Sequence, residues 1–179
     1  MKSLQTIQKT CKVFQILTKI AMILCFVGSG LLILGLLCGI VISSTGAVVS
    51  GGVETLYKLT ASASFYEMIG TLLAEFVVTL TDALLFFHAW KYFSAEQADG
   101  TPFSRRGADM MKRLGILLIV LPAVSAILAW GICTIFSVPQ VKAPDLGSEA
   151  SIVLGIMLIL ISVILRYGAE FEEREDKYE

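Results

Sequence analysis

Thr71, Glu75, Thr79 and Asp82 are the residues whose types and spacing could do chemistry in this sequence. Residues three or four apart share one face of a helix, so the four make a single polar stripe through and just ahead of EFVVTLTD at 75–82. The segment around them is otherwise built for lipid. A charged carboxylate at mid-membrane costs at least about 2.5 kcal/mol, so each acid has to be neutral, hydrogen-bonded or wetted by internal water. The stripe is therefore expected to face other helices, with Glu75 nearer the centre of its span and Asp82 displaced toward the cytoplasm. Three uses fit it. Its groups could hydrogen-bond across helices, for example to Ser125, Thr134 or Ser162, and fix their register. They could bind a small cationic or amphipathic ligand in a cavity open to the outer loops, or pass a proton or cation.

The elements that must position the stripe follow from composition. Hydrophobic residues make up 56% of the chain and charged ones 16%, against about 25% charged in soluble domains. The mean hydropathy is +0.80. This is the balance of an integral membrane protein, and the expected fold class is all-α: a polytopic bundle of four transmembrane helices with cytoplasmic amphipathic segments. A net charge of −1 gives no argument for direct contact with nucleic acid. Apolar runs place the spans at about 20–42, 68–90, 114–138 and 150–167, each near the roughly 20 helical residues that a hydrocarbon core requires. Pro122 is expected to kink the third span, and Arg166 and Tyr167 to finish the fourth by snorkelling. No lysine or arginine within the spans is placed to pair with the two acids.

Charge placement orients the chain. Lys2, Lys9, Lys12, Lys19, Lys91, Arg105, Arg106, Lys112, Arg113, Arg166, Arg174 and Lys177 fall on one side and Lys58 and Lys142 on the other, 12 against 2. The positive-inside rule then puts both termini and the middle loop in the cytoplasm. The first apolar run is longer than the roughly 7 to 15 residues of a signal-peptide core, so it reads as a span. Cys11, Cys25, Cys38 and Cys133 form no CxxC pair and have no histidine cluster beside them, which gives neither a metal site nor a cofactor site.

Two basic stretches are amphipathic. Residues 1–19 place Leu4, Ile7, Cys11, Phe14 and Leu17 at helical spacing, a pattern suited to a helix lying on the bilayer surface. In the middle loop, GTPF at 100–103 reads as a helix start, with Thr101 as N-cap and Pro102 at the first helical position. Phe103, Gly107, Met110, Met111 and Leu114 then form a stripe flanked by Arg105, Arg106, Lys112 and Arg113. Both stretches suit anchoring to anionic headgroups or docking of a cytoplasmic protein. Residues 168–179 form an acidic tail, containing Glu170, Glu172 and Glu173, that either solvates the chain end or attracts a basic partner.

Smaller features add less. Gly35 and Gly39 lead a small-residue ridge suited to close helix contact within the bundle or to a homodimer. His88, the lone histidine, sits near the interface, roughly opposite the acid stripe. An enzyme is disfavoured: a nucleophile, base and orienter cannot be assembled around one interfacial histidine, and the two carboxyls stand about 10.5 Å apart along a helix.

GTPF at 100–103, the basic helix after it and RYGAEFEERED at 166–176 resemble the bacterial membrane family catalogued as domain of unknown function 2975, over essentially the whole chain. After Asp176 the chain departs from that pattern, continuing into Lys177, Tyr178 and Glu179. The resemblance implies a small four-helix inner-membrane protein. Members are often encoded beside a small Cro/repressor-type helix-turn-helix protein, which implies a membrane-bound regulator of that DNA-binding partner. Phe103, Arg105, Arg106, Met110 and Arg113, with Glu170, Glu172 and Glu173, would then carry the partner. The alternative is a small transporter, ligand-binding or immunity-type membrane protein that uses Glu75 and Asp82.

Overall fold

A computed structural model of the chain describes residues 2–45, 64–99, 105–138 and 148–175, with side chains at 9–41, 64–97, 105–138 and 151–170. The described residues are helical, with no strand among them: α1 (Lys2–Thr45), α2 (Phe65–Asp99), α3 (Arg105–Ile135) and α4 (Ser148–Glu175). Each contains a stretch long and apolar enough to cross a bilayer, namely Lys9–Val41, Phe65–Gln97, Arg105–Ile135 and Ser151–Glu170. The exposed surface is correspondingly oily. Met68 is fully buried, whereas Leu24, Leu31, Ile127, Ile135 and Ile164 are 63–78% exposed, a distribution that makes sense only where lipid is the solvent.

The helices run further than the apolar runs that announce them. Residues 1–19 do not make a separate surface helix: from Lys2 they are the opening turns of one 44-residue helix that continues through the first span. No proline interrupts it, and a backbone away from water gains most by closing every hydrogen bond within its own helix. The second helix begins three residues before the expected span. Ser64 caps it, its Oγ accepting from the Glu67 N–H at 3.2 Å and its carbonyl from the Met68 N–H at 3.1 Å. α3 passes through Pro122 without ending, and the expected cap at Thr101 and Pro102 lies outside the described residues.

At its far end α3 stops at Ile135, short of the expected 138. Ser137 adopts a left-handed φ of 53°. The Val138 N–H donates to the Cys133 carbonyl at 2.9 Å and the Ser137 N–H to that of Thr134 at 3.3 Å. These are the two bonds of a Schellman cap, and they satisfy carbonyls that the helix end would otherwise leave bare. Val138 folds back into an apolar cluster with Ala74, Ala129 and Cys133.

Two compact units divide the chain. One comprises Met1–Ile23, Ala83–Pro122 and Gly147–Glu179; the other comprises Leu24–Asp82 and Ala123–Leu146. In the second unit α1 and α2 run antiparallel: Gly28 faces Thr79, and Gly39 faces Met68 and Phe65. A Cβ at Gly39 would stand 2.9 Å from Met68 Cε, and one at Gly70 would stand 2.5 Å from Phe136 Cβ and 2.7 Å from Val138 Cγ2. In the first unit Phe14 of α1 stacks on Phe93 of α2 with ring centroids 5.6 Å apart. There α3 meets α4 through glycine on both sides, a Cβ at Gly115 falling 2.8 Å from the Gly155 carbonyl oxygen, and the converse. With few polar groups to join them, the helices are held by close backbone approach at small residues.

Two substitutions test this packing. Gly115→Ala pushes a methyl into backbone rather than into a pliable side chain, and should lower the unfolding free energy in detergent by about 1 to 3 kcal/mol. Ser137→Gly relieves the left-handed residue and should raise it by about 1 kcal/mol. Both are read from the shift of the unfolding midpoint in mixed-micelle titration.

Candidate functional site

The acid stripe on α2 divides between two neighbours, both within the second unit. Thr71 is buried, Glu75 and Thr79 are half-buried and Asp82 is exposed. Glu75 lies within electrostatic reach of Cys133 on α3, and Asp82 of Cys25 on α1. Thr79 touches the Gly28 backbone position, 3.7 Å from where a Cβ would be. Asp82, expected toward one interface, is the middle residue of α2, seventeen residues from each end of Phe65–Asp99. The helix runs nine residues past the expected end at 90, whereas the expected span of 68–90 is centred on Thr79, three residues from Asp82 and four from Glu75.

Five hydroxyls bond to their own helix. Thr71 Oγ1 donates to the Glu67 carbonyl at 2.8 Å, Thr79 to Glu75 at 2.8 Å and Thr81 to Val77 at 2.9 Å, each one turn back on α2. Thr134 donates likewise to Trp130 at 2.9 Å, and Ser162 to Ile159 at 2.6 Å. A hydroxyl in an apolar surrounding takes the nearest acceptor, and its own preceding turn always supplies one. Among the described residues neither the Glu75 nor the Asp82 carboxyl has a hydrogen-bond or ion-pair partner, and no group of three or more His, Cys, Asp or Glu is placed to hold a metal ion.

A second site lies in the first unit, where the sequence suggested an amphipathic basic stretch for headgroups or a docking protein. Arg106, Asp109, Met110, Arg113, Leu114 and Leu117 recur three and four apart along one stripe of α3. With His88, Lys91 and Tyr92 on α2 they line a cavity of about 650 Å³. Lys91, Arg106, Asp109 and Arg113 are exposed, Tyr92 is buried, and the remaining lining is half-buried. His88 Nδ1 lies 2.8 Å from the Leu84 carbonyl. That bond requires the proton on Nδ1 and leaves Nε2 as the ring nitrogen free to bind.

Of the residues expected to carry a partner, Arg106, Met110 and Arg113 meet at this cavity, while Arg105 is exposed beside it on the same helix. Phe103 lies outside the described residues. Glu170 sits on α4, its Oε1 3.7 Å from Arg166 Nε, and the side chains of Glu172 and Glu173 lie outside the described set. Sequence reasoning missed His88, Lys91, Tyr92 and Asp109 as site residues. Their signal was the i, i+3, i+4 spacing of His88, Lys91 and Tyr92 on a helix long enough to reach past its apolar run.

No protein-family model, curated protein or solved structure matches the chain.

Because the hydroxyls of α2 are satisfied on their own helix, none depends on the Asp82 carboxyl. Asp82→Asn should therefore fold as the parent does and be no less stable, since it removes a group whose ionised form costs at least about 2.5 kcal/mol at mid-membrane. Unfolding midpoints of the two proteins in detergent check this. A fall of the midpoint in the variant would make the carboxyl a structural partner.

Proposed function

We propose that this is a non-enzymatic regulator embedded in the bacterial inner membrane, with both termini in the cytoplasm, that holds a small basic helix-turn-helix protein on the acidic end of α4. One observation carries the reading: α4 does not stop with its apolar run but remains helical to Glu175. The residues beyond Leu165 include Glu170, Glu172, Glu173 and Glu175 against Arg166 and Arg174. A helical backbone is already ordered, so α4 loses less conformational freedom on docking than an unstructured run would, and complementary charge speeds the encounter. The family resemblance supplies the class of partner, and the segregation of lysine and arginine supplies the orientation.

The contact falls on α4 and not on Arg105, Arg106, Met110 and Arg113. A DNA-binding domain brings positive charge of its own, and like charges across an interface repel.

The test is co-purification of the full-length protein from its native cells with a small basic helix-turn-helix protein, at two salt concentrations. Association at low salt should weaken steeply as salt is raised. It should fall about tenfold or more for the chain ended after Gly168, and similarly for Glu170→Lys combined with Glu172→Lys and Glu173→Lys. Retained association in both forms would remove α4 from the interface.

A second reading, a transport or ligand-binding role for Glu75 and Asp82, is favoured by the unpaired carboxyl at the midpoint of α2. Under it, Asp82→Asn abolishes function while the α4 truncation does not.

A further inference from the structure

We propose that the cavity between α2 and the first four turns of α3 is a binding site for the phosphate of an anionic phospholipid, with the lipid chain lying along Leu114 and Leu117. The site does not rest on the docking role given to α4.

Its charge is the first argument. Lys91, Arg106 and Arg113 line the cavity with one acid, Asp109, so the lining carries three positive charges against one negative. None of the three cations has an ion-pair partner among the described residues. Asp109 lies three residues from Arg106 and four from Arg113 on the same helix, yet it closes an ion pair with neither. Two guanidinium forks beside an ammonium match the oxygens of a phosphate, which accepts bidentate bonds from arginine.

Shape is the second. A volume of about 650 Å³ lies within the range of small-molecule sites, roughly 300 to 1,000 Å³. The lining also changes character along α3. It begins with Arg106, reaches Arg113 two turns on, and ends with Leu114 and Leu117. The axial distance from first to last is about 16 Å at the helical rise. A free phosphate ion would have no use for the apolar end. A phosphate bearing a hydrocarbon chain uses both.

Place is the third. α3 has 31 residues and is about 46 Å long, whereas the hydrocarbon core is about 30 Å thick. Part of the helix must therefore lie in the headgroup layer, and the charged end is the part that belongs there. Basic pockets between membrane helices are where anionic headgroups are generally held.

The test uses the full-length protein in a neutral detergent, titrated with short-chain phosphatidylglycerol, with phosphatidylcholine of the same chain length, and with inorganic phosphate, binding being read by native mass spectrometry and by the shift in thermal unfolding. Phosphatidylglycerol should bind and stabilise, phosphatidylcholine should do so much less, and inorganic phosphate should neither stabilise the protein nor displace the lipid at equal concentration. Arg106→Gln with Arg113→Gln should weaken phosphatidylglycerol about tenfold or more, whereas Arg105→Gln with Lys112→Gln, on the same helix but outside the lining, should stay within about twofold. Lys91→Gln, a single exposed position, gives the same reading if the double variant fails to fold, with a loss of about threefold or more.

Equal losses in the lining and non-lining variants would overturn the site in favour of general attraction to a basic surface. Stabilisation by inorganic phosphate alone, or displacement of the lipid by it, would overturn the lipid and leave a site for a soluble phosphate compound. Unchanged lipid affinity, with loss of the helix-turn-helix partner from the Arg106 and Arg113 variant, would give the cavity to protein.

Discussion

In hydrocarbon a polar group has no water to fall back on, and the nearest acceptor is the preceding turn of its own helix. The described structure depends on that constraint. It keeps every described span helical, and the helices continue beyond the apolar runs: α1 includes its charged opening turns, α2 runs past its apolar end and α4 carries an acidic sequence in helical form. It also silences the hydroxyls. Thr71, Thr79, Thr81, Thr134 and Ser162 all spend their donors on carbonyls of their own helix. The two threonines of the acid stripe thus bond back to α2 rather than across to another helix.

What then holds helix to helix is shape. Gly39 receives Met68, Gly70 receives the end of α3, and Gly115 and Gly155 let two backbones touch. In each unit α1 and α2 keep antiparallel register. A step of three along α1 from Cys25 to Gly28 matches a step of three back along α2 from Asp82 to Thr79, and Cys11 to Phe14 matches Glu96 to Phe93 in the other unit. Gly39 of the small-residue ridge is spent on Met68 in this packing, which is the intramolecular of its two uses.

Charge obeys a separate constraint, since it must remain where water or headgroups can reach it. Among the described residues every lysine and arginine lies in the unit that holds both termini. Concentrating basic side chains beside amphipathic helix ends produces one surface proposed for the protein, a cavity whose cations have no ion-pair partner among the described residues, and the glutamates at the end of α4 supply the other, which a basic protein would find complementary. The two surfaces have opposite sign, so they select different ligands without interfering.

The four spans, the all-helical class and the clustering of basic residues were legible from residue type alone, because transfer into lipid is a local property summed over about 20 residues. Helix ends were not. Ser64 sits in a capping sequence, Ser-Phe-Tyr-Glu, that could have been read, whereas the Schellman turn at Ser137 uses a residue that nothing marks as left-handed. The stripe from Thr71 to Asp82 was legible as a face of α2, but its neighbours were not, and the exposure of Asp82 and the half-burial of Glu75 depend on where α1 and α3 cross. Likewise Arg106 and Arg113 announced themselves as charge, while the cavity required His88, Lys91 and Tyr92 from another helix. By itself the sequence determined which segments leave water and which side chains stay with it, since both follow from the chemistry of each residue. Only the tertiary structure decided which of those side chains meet, because that follows from the register of one helix on another, set by where glycines let backbones approach.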